Sequence, residues 1–94
     1  MAIHKLTADE IRTEVQTLEG WIATESLVSK KFTFATYKDG VVFANSVAYL
    51  ADKLNHHPDM VIGYAKVTVS ISTHDVGGLS ELDFELARRI DGLG

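Results

Sequence analysis

The segment from Lys66 to Ser72 alternates strictly between polar and apolar residues. Val67, Val69 and Ile71 fall on one side of an extended backbone, and the residues between them fall on the other. This period of two indicates a β-strand with one buried face and one wet face. Sheets built from such strands are typically antiparallel and covered by helices on a single side. The pattern therefore favours an α+β fold.

The remaining segments predict three helices and three further strands. Thr7 and Glu10 form a capping box at the start of the first helix, and Ser80 with Asp83 repeats that pattern before the last one. Pro58 ends the middle helix, because proline disfavours helical angles in the residue before it. In chain order the predicted elements are a helix from Ala8 to Leu18, strands from Trp21 to Thr24 and Val28 to Phe34, a helix from its cap Thr36 to Leu54 or Asn55, strands from Met60 to Tyr64 and Lys66 to Ser72, and a helix capped by Ser80. The prediction is a four-stranded antiparallel sheet covered on one face by three helices, with the strand order left open.

Length and composition limit the classes of protein to consider. The 94 residues, 46% of them hydrophobic, predict one domain spanning residues 1–94. A net charge of -4 argues against a nucleic acid partner, because binding a phosphate backbone requires clustered Lys and Arg. The chain has no cysteine and no run of about 20 apolar residues, which argues against thiolate chemistry and a membrane span. We expect a soluble, cytoplasmic protein.

Three histidines lie in two short turns next to predicted elements. His56 and His57 follow the middle helix, and His74 follows the last strand. Imidazole both gives and takes a proton near neutral pH, because its ordinary pKa is about 6.5. Asp52 precedes His56 by one helical turn, so its carboxylate is expected to orient that imidazole if the helix continues so far. The pattern predicts a proton-transfer site for a small molecule.

Two other interpretations of these histidines are open at this point. A single histidine near a turn is most often a surface or capping residue, as we expect for His4 near the start of the chain. A metal site would combine the three imidazoles with a carboxylate of Asp52, Asp59 or Asp75 and one open position. However, adjacent histidines seldom ligate the same ion, and the chain has no His-x-x-x-His pair. These points make a metal site the less favoured interpretation, and two imidazoles that act as acid and base need neither a metal nor an organic cofactor.

Several motifs resemble the signature of the pterin-4a-carbinolamine dehydratase family. The segments that carry the resemblance are Asp52 to Asp59 with its His-His-Pro, Tyr64 to Val67, Ser72 to Asp75, and Gly78 to Ser80. Gly20-Trp21, Phe32 to Phe34, Asp83 and Leu86-Ala87 also fall in register, so the similarity covers nearly the whole chain. The resemblance implies dehydration of a 4a-hydroxytetrahydropterin to the quinonoid dihydropterin. This step recycles the cofactor used by aromatic amino acid hydroxylases.

The resemblance also assigns functional positions. It implies that His56, His57 and His74 are catalytic, with acid and base not distinguished among them, and that Asp52 orients His56. Asp52 stands where the family commonly carries Glu, and its side chain is shorter. The implied pterin contacts are the three histidines together with Pro58, Thr73, Asp75 and Val76.

Finally, the family implies partners. Its members form dimers or tetramers, so we expect a homodimer or homotetramer. Some members act as a dimerisation cofactor of a homeodomain transcription factor, and others are related to a rubisco assembly factor. The alternative to an enzyme is therefore a non-catalytic interaction or assembly module on the same fold. The intact histidine trio favours the enzyme, since a pure interaction module does not need it.

Overall fold

The computed structural model describes residues 3–93. In chain order its elements are helix α1 (Ala8–Val15), strands β1 (Ile22–Ala23) and β2 (Val28–Thr33), helix α2 (Tyr37–Leu54), strands β3 (Asp59–Gly63) and β4 (Lys66–Ile71), a short 3₁₀ turn (His74–Val76), and helix α3 (Glu81–Asp91). The order of helices and strands confirms the predicted α+β class. The 3₁₀ turn is an element that the sequence pattern does not predict.

The four strands pair antiparallel in the order β1-β2-β4-β3. The alternation in β4 has the predicted result, because Val67, Val69 and Ile71 are completely buried in the core beneath the helices. On the opposite face, Thr68 of β4 pairs with Val61 of β3, whose side chain is 70% exposed. The sheet therefore has the single wet face that the sequence predicts.

Helix α1 ends at Val15 rather than at the predicted Leu18. The chain then tightens into turns in which the N–H groups of Thr17 and Leu18 bond the carbonyls three residues earlier, those of Glu14 and Val15. The Thr17 hydroxyl also donates to the Glu14 carbonyl at 2.7 Å. Such a side-chain bond competes with continuation of the helix. Leu18 is nevertheless buried in the core, as its place in the apolar stripe predicts.

The end of α2 sets the direction in which the histidine turn leaves the helix. Asn55 adopts a left-handed conformation with φ 52° and ψ 42°, which asparagine tolerates better than most residues. The His56 N–H then donates to the Ala51 carbonyl at 3.1 Å, and the Asn55 N–H donates to the Asp52 carbonyl at 3.2 Å. This Schellman motif stops the helix and fixes the backbone of the residues that follow.

Helix α3 begins deep inside the protein. The Ser80 hydroxyl accepts from the Leu82 N–H, and the Asp83 carboxylate accepts from the Ser80 N–H at 2.9 Å, which confirms the predicted capping box. Leu79 and Phe84 are fully buried at the predicted staple positions around it. As a result the Asp83 side chain has no exposed surface.

The loop after β4 is closed on itself. The Thr73 N–H donates to the Gly78 carbonyl at 2.8 Å, and the intervening residues form the 3₁₀ turn that carries His74. Gly77 closes this turn with φ 65°, a conformation that favours glycine. No helix within residues 3–93 is long and apolar enough to cross a bilayer.

Candidate active site

A cleft of about 450 Å³ lies between the end of α2 and the loop after β4. Five of the residues predicted from the sequence line it, namely His56, His57, Thr73, His74 and Asp75. The other predicted site residues, Asp52, Pro58 and Val76, lie outside this lining. A larger depression of about 630 Å³ adjoins the cleft along the start of α3. We place the candidate site in the smaller cleft, because there all three imidazoles of the two turns come together.

His56 is tied to a carboxylate from another part of the chain. Its Nε2 lies 2.6 Å from Oδ1 of Asp83, and the two side chains are 11% and 0% exposed. An ionised carboxylate only accepts hydrogen bonds, so Nε2 carries the proton in this pair. Nδ1 is therefore the ring nitrogen that His56 has left for a ligand in the cleft. A carboxylate in this position fixes both the orientation and the tautomer of an imidazole.

The second carboxylate oxygen of Asp83 accepts hydrogen bonds from two other residues. Its Oδ2 accepts from the Thr73 hydroxyl at 2.7 Å and from the Ser80 N–H at 2.9 Å. The Thr73 and Ser80 hydroxyls lie 2.8 Å apart, and both side chains are almost completely buried. Asp83 is thus held by three donors, one of which is the cleft imidazole of His56.

His57 has a different partner and a different environment. Its Nε2 lies 3.0 Å from Oδ1 of Asp52, and the two side chains are 58% and 80% exposed. The sequence prediction that Asp52 orients His56 is therefore wrong in this structure. The Schellman motif at Asn55 ends the helical spacing. As a result His57, and not His56, comes within hydrogen-bond distance of Asp52.

His74 reaches the cleft from the other turn. It begins the 3₁₀ turn, is exposed, and its ring makes no hydrogen bond to the part of the chain that the structure describes. Across residues 3–93, no three His, Cys, Asp or Glu side chains are grouped so that they could hold a metal ion. The three imidazoles that line the cleft are groups able to give and take a proton near neutral pH.

Comparison with known proteins fits this geometry. Residues 4–93 match the family model described as pterin 4 alpha carbinolamine dehydratase. The chain belongs to this family. A relative in Sulfurisphaera tokodaii, provisionally named pterin-4-alpha-carbinolamine dehydratase, is 47% identical over 89 residues, which cover 95% of this chain and 96% of the relative. A similarly named protein of Aquifex aeolicus is 36% identical over 91 residues, covering 97% and 92% of the two chains.

Two solved structures share the fold of this dehydratase family member. A crystal structure described as a transcriptional coactivator/pterin dehydratase from Brucella melitensis superposes with a TM-score of 0.90 at 30% identity, covering 95% of this chain and 97% of that one. A pterin dehydratase-like protein described as a RuBisCO assembly factor in the alpha-carboxysome gives a TM-score of 0.63 at 23% identity, covering 78% and 84%. The second likeness shows the fold alone.

In this dehydratase fold, sequence reasoning missed the role of Asp83. The residue was predicted as part of a capping box, and that prediction is confirmed, but the box uses only one of its two oxygens. The available signal was the pair of apolar residues around it, Leu79 and Phe84, which indicates that the start of α3 is buried. A buried carboxylate needs further donors, and the nearby histidine supplies one of them.

Proposed function

We propose that this protein catalyses the dehydration of a 4a-hydroxytetrahydropterin to the quinonoid dihydropterin and water. The observation that carries the proposal is the cleft shared by three imidazoles, one of which is bonded to a buried carboxylate. Family membership supplies the substrate class. A cleft of a few hundred Å³ with few, well-placed polar groups is also typical of small-molecule sites.

The reaction requires two proton transfers at neighbouring atoms. In our proposal Nδ1 of His56 takes the proton from N5, and the nitrogen's electron pair then forms the N5=C4a double bond. The C4a–O bond breaks, and protonated His74 donates to the departing oxygen, which leaves as water. The Asp83 carboxylate suits His56 to the base role, because it compensates the positive charge that develops on the ring. The roles of the two imidazoles exchange if the hydroxyl leaves from the opposite face of the ring.

The other predicted residues have smaller parts in this proposal. His57 lines the cleft and holds the pterin or shares the acid role. Asp52 orients the His57 ring by a hydrogen bond at the protein surface. Asp75 lines the cleft beside His74, and in this proposal it contacts the pterin edge. Pro58 and Val76 stay predictions as substrate contacts, since they lie outside the cleft lining.

The test is to follow quinonoid dihydropterin formation by absorbance for the wild type and for His56→Ala and His74→Ala. We expect each substitution to lower kcat by about 10² to 10⁴, the usual contribution of a positioned acid or base. The matched control is His4→Ala, because His4 bonds Glu10 and lies outside the cleft. Equal rates in all four proteins would contradict the proposal, and loss of wild-type activity in chelator would point to a metal instead.

We also propose that the chain forms a homodimer or homotetramer. Strand β3 is an edge of the sheet, and Val61 and Ile62 on it are 70% and 43% exposed. An open edge with apolar side chains is suited to pairing with a second copy. Light scattering of the wild type and of Val61→Lys measures this: we expect the charged variant to reduce the molar mass.

An interaction module is the second candidate function. It is favoured by exposed apolar residues on helix α2, where Val42 and Tyr49 are 56% and 71% exposed. A related structure is described as a transcriptional coactivator/pterin dehydratase, and one that shares the fold as a RuBisCO assembly factor. If adding the wild-type protein leaves the dehydration rate at its uncatalysed value, that result would support the interaction module and exclude the enzyme.

A further inference from the structure

Two buried hydroxyl groups are linked by hydrogen bonds to the carboxylate of the His56–Asp83 pair. Thr73 and Ser80 are 3% and 1% exposed, so their hydroxyls face the interior although Thr73 borders the cleft. Capping of α3 requires the Ser80 hydroxyl only as an acceptor for the Leu82 N–H. Neither the cap nor the reaction step explains the bond from Ser80 to Thr73.

The directions of these hydrogen bonds are determined by the carboxylate. Asp83 only accepts, so the Thr73 hydroxyl must donate to its Oδ2. A hydroxyl has a single proton, so Thr73 accepts in its bond with Ser80 and Ser80 donates. The chain runs in one direction from Ser80 through Thr73 to Asp83, and His56 donates to the other oxygen of that carboxylate.

We propose that Thr73 and Ser80 are positioning residues for His56. The Thr73 hydroxyl and the Ser80 backbone N–H both donate to Oδ2 of Asp83. They prevent the carboxylate from rotating, so Oδ1 stays directed at Nε2 of His56. The imidazole is thereby kept in the tautomer that carries its proton on Nε2 and leaves Nδ1 free in the cleft. The consequence for the rate rests on the proposed function, whereas the consequence for the tautomer does not.

The same residue connects the two halves of the site. Thr73 directly precedes His74, and its backbone N–H is tied to Gly78 at the far end of the loop that carries His74. Its side chain is tied to the carboxylate that holds His56. The hydrogen bonds of Thr73 therefore fix the two catalytic turns relative to each other, although they come from different parts of the chain.

The test compares Thr73→Val, which keeps the shape but removes the hydroxyl, with Thr73→Ser, which restores it. The matched control is Thr68→Val on strand β4, since Thr68 lies on the wet face of the sheet. The first readout is the ¹⁵N spectrum of the imidazoles at a pH where they are neutral, which distinguishes the two tautomers of His56. We expect one tautomer in the wild type, Thr73→Ser and Thr68→Val, and a mixture in Thr73→Val.

The second readout is the dehydration rate. We expect Thr73→Val to lower kcat about tenfold with a smaller change in KM, similar in size to the loss of an outer partner behind a ligating histidine. Thr73→Ser should recover most of that loss. If Thr73→Val does not fold, Thr73→Ala removes the same hydroxyl from Oδ2 of Asp83, and we expect it to produce the same tautomer mixture.

Two results would overturn the inference. An unchanged His56 tautomer in Thr73→Val, or in Thr73→Ala where that variant is needed, would show that the hydroxyls are structural only. A raised KM at constant kcat and constant tautomer would make Thr73 a substrate contact. If the wild type proves inactive, the proposed function fails, and the ¹⁵N spectra still decide whether the hydroxyls hold His56.

Discussion

Adjacent histidines in this chain make the same kind of bond in opposite environments. His56 and His57 each place Nε2 near Oδ1 of an aspartate, at 2.6 and 3.0 Å. The first pair, with Asp83, is almost completely buried, whereas the second, with Asp52, is largely exposed. A buried pair must be fully hydrogen-bonded and is hardly screened, while an exposed pair competes with water and salt. Both histidines have a carboxylate partner, so the comparison indicates that burial decides which imidazole is held in one orientation and one tautomer.

Asp83→Asn tests the buried pair and has the largest expected effect. The amide has one acceptor and one donor group where the carboxylate offers two acceptors to His56, Thr73 and Ser80. One bond must break, or His56 must change its tautomer. We expect kcat to fall by about 10² to 10⁴, as for replacement of the buried aspartate behind a catalytic histidine elsewhere. Steady-state rates of quinonoid formation measure this.

Stability gives a second readout for the same variant. A buried donor left without a partner costs about 1 to 3 kcal/mol, so denaturant unfolding should show Asp83→Asn destabilised by that amount. The comparison fails if kcat stays within about threefold of wild type, a change too small for a lost catalytic interaction.

The turn that separates the two histidines is the next target. Asn55 is left-handed, and alanine is less stable than glycine in that conformation by about 1 to 2 kcal/mol. We therefore expect Asn55→Ala to unfold more easily than Asn55→Gly. Because the turn directs both histidines, kcat should fall more in the alanine variant. Urea unfolding and dehydration rates check both expectations.

The control for this substitution is Asn45, an exposed residue in the middle of α2. There alanine should be more stable than glycine by about 1 kcal/mol, because glycine is the poorer helix former. The order of the two variants should thus reverse between positions 45 and 55. The same order at both positions would mean that residue 55 is not held in the left-handed conformation.

Asp52→Asn tests the exposed pair and should do little. Surface ion pairs contribute about 0 to 1 kcal/mol and weaken with salt. We expect the free energy of unfolding to change within that range and kcat to stay within about threefold, measured at low and high salt. A loss as large as that of Asp83→Asn would instead make Asp52 the catalytic partner that the sequence predicted.

The sequence predicts the local parts of this molecule well. The strand alternation at Val67, Val69 and Ile71 gives the buried face of the sheet, and the capping box at Ser80 gives the start of α3. Both patterns depend on residues a few positions apart. The sequence also predicts that the three histidines share one site, because the family resemblance assigns all three as catalytic residues.

The partner of each histidine could not be predicted in the same way. Asp83 lies 27 residues from His56, and only the packing of α3 against α2 brings them together. Asp52 was assigned to His56 by helical spacing, but the left-handed residue Asn55 interrupts that spacing. The strand order is likewise a product of long-range packing. Local patterns fix where elements begin and end, while side-chain partners across elements depend on tertiary contacts.

A third histidine pair also lies at the surface and has the smallest expected effect. His4 Nε2 lies 3.0 Å from Oε1 of Glu10, an oxygen that also accepts from the Thr7 N–H. The Thr7 backbone bond first, and then the bond to His4, lower the pKa of Glu10 below its ordinary value of 4.5. A lowered folded-state pKa gives stability that is present above that value and is lost as pH falls through the folded pKa.

We therefore expect Glu10→Gln, which keeps an oxygen for Thr7 but removes the charge, to differ most from wild type above about pH 5 and to converge with it towards about pH 3. Thermal unfolding across that range measures the difference in Tm, with Glu25→Gln in the turn between β1 and β2 as the control for removing one negative charge. Dehydration rates should be unchanged in both variants, since neither residue lines the cleft. A loss of activity in Glu10→Gln would mean that an exposed histidine pair also contributes to the site, contrary to the role that burial has in the comparison.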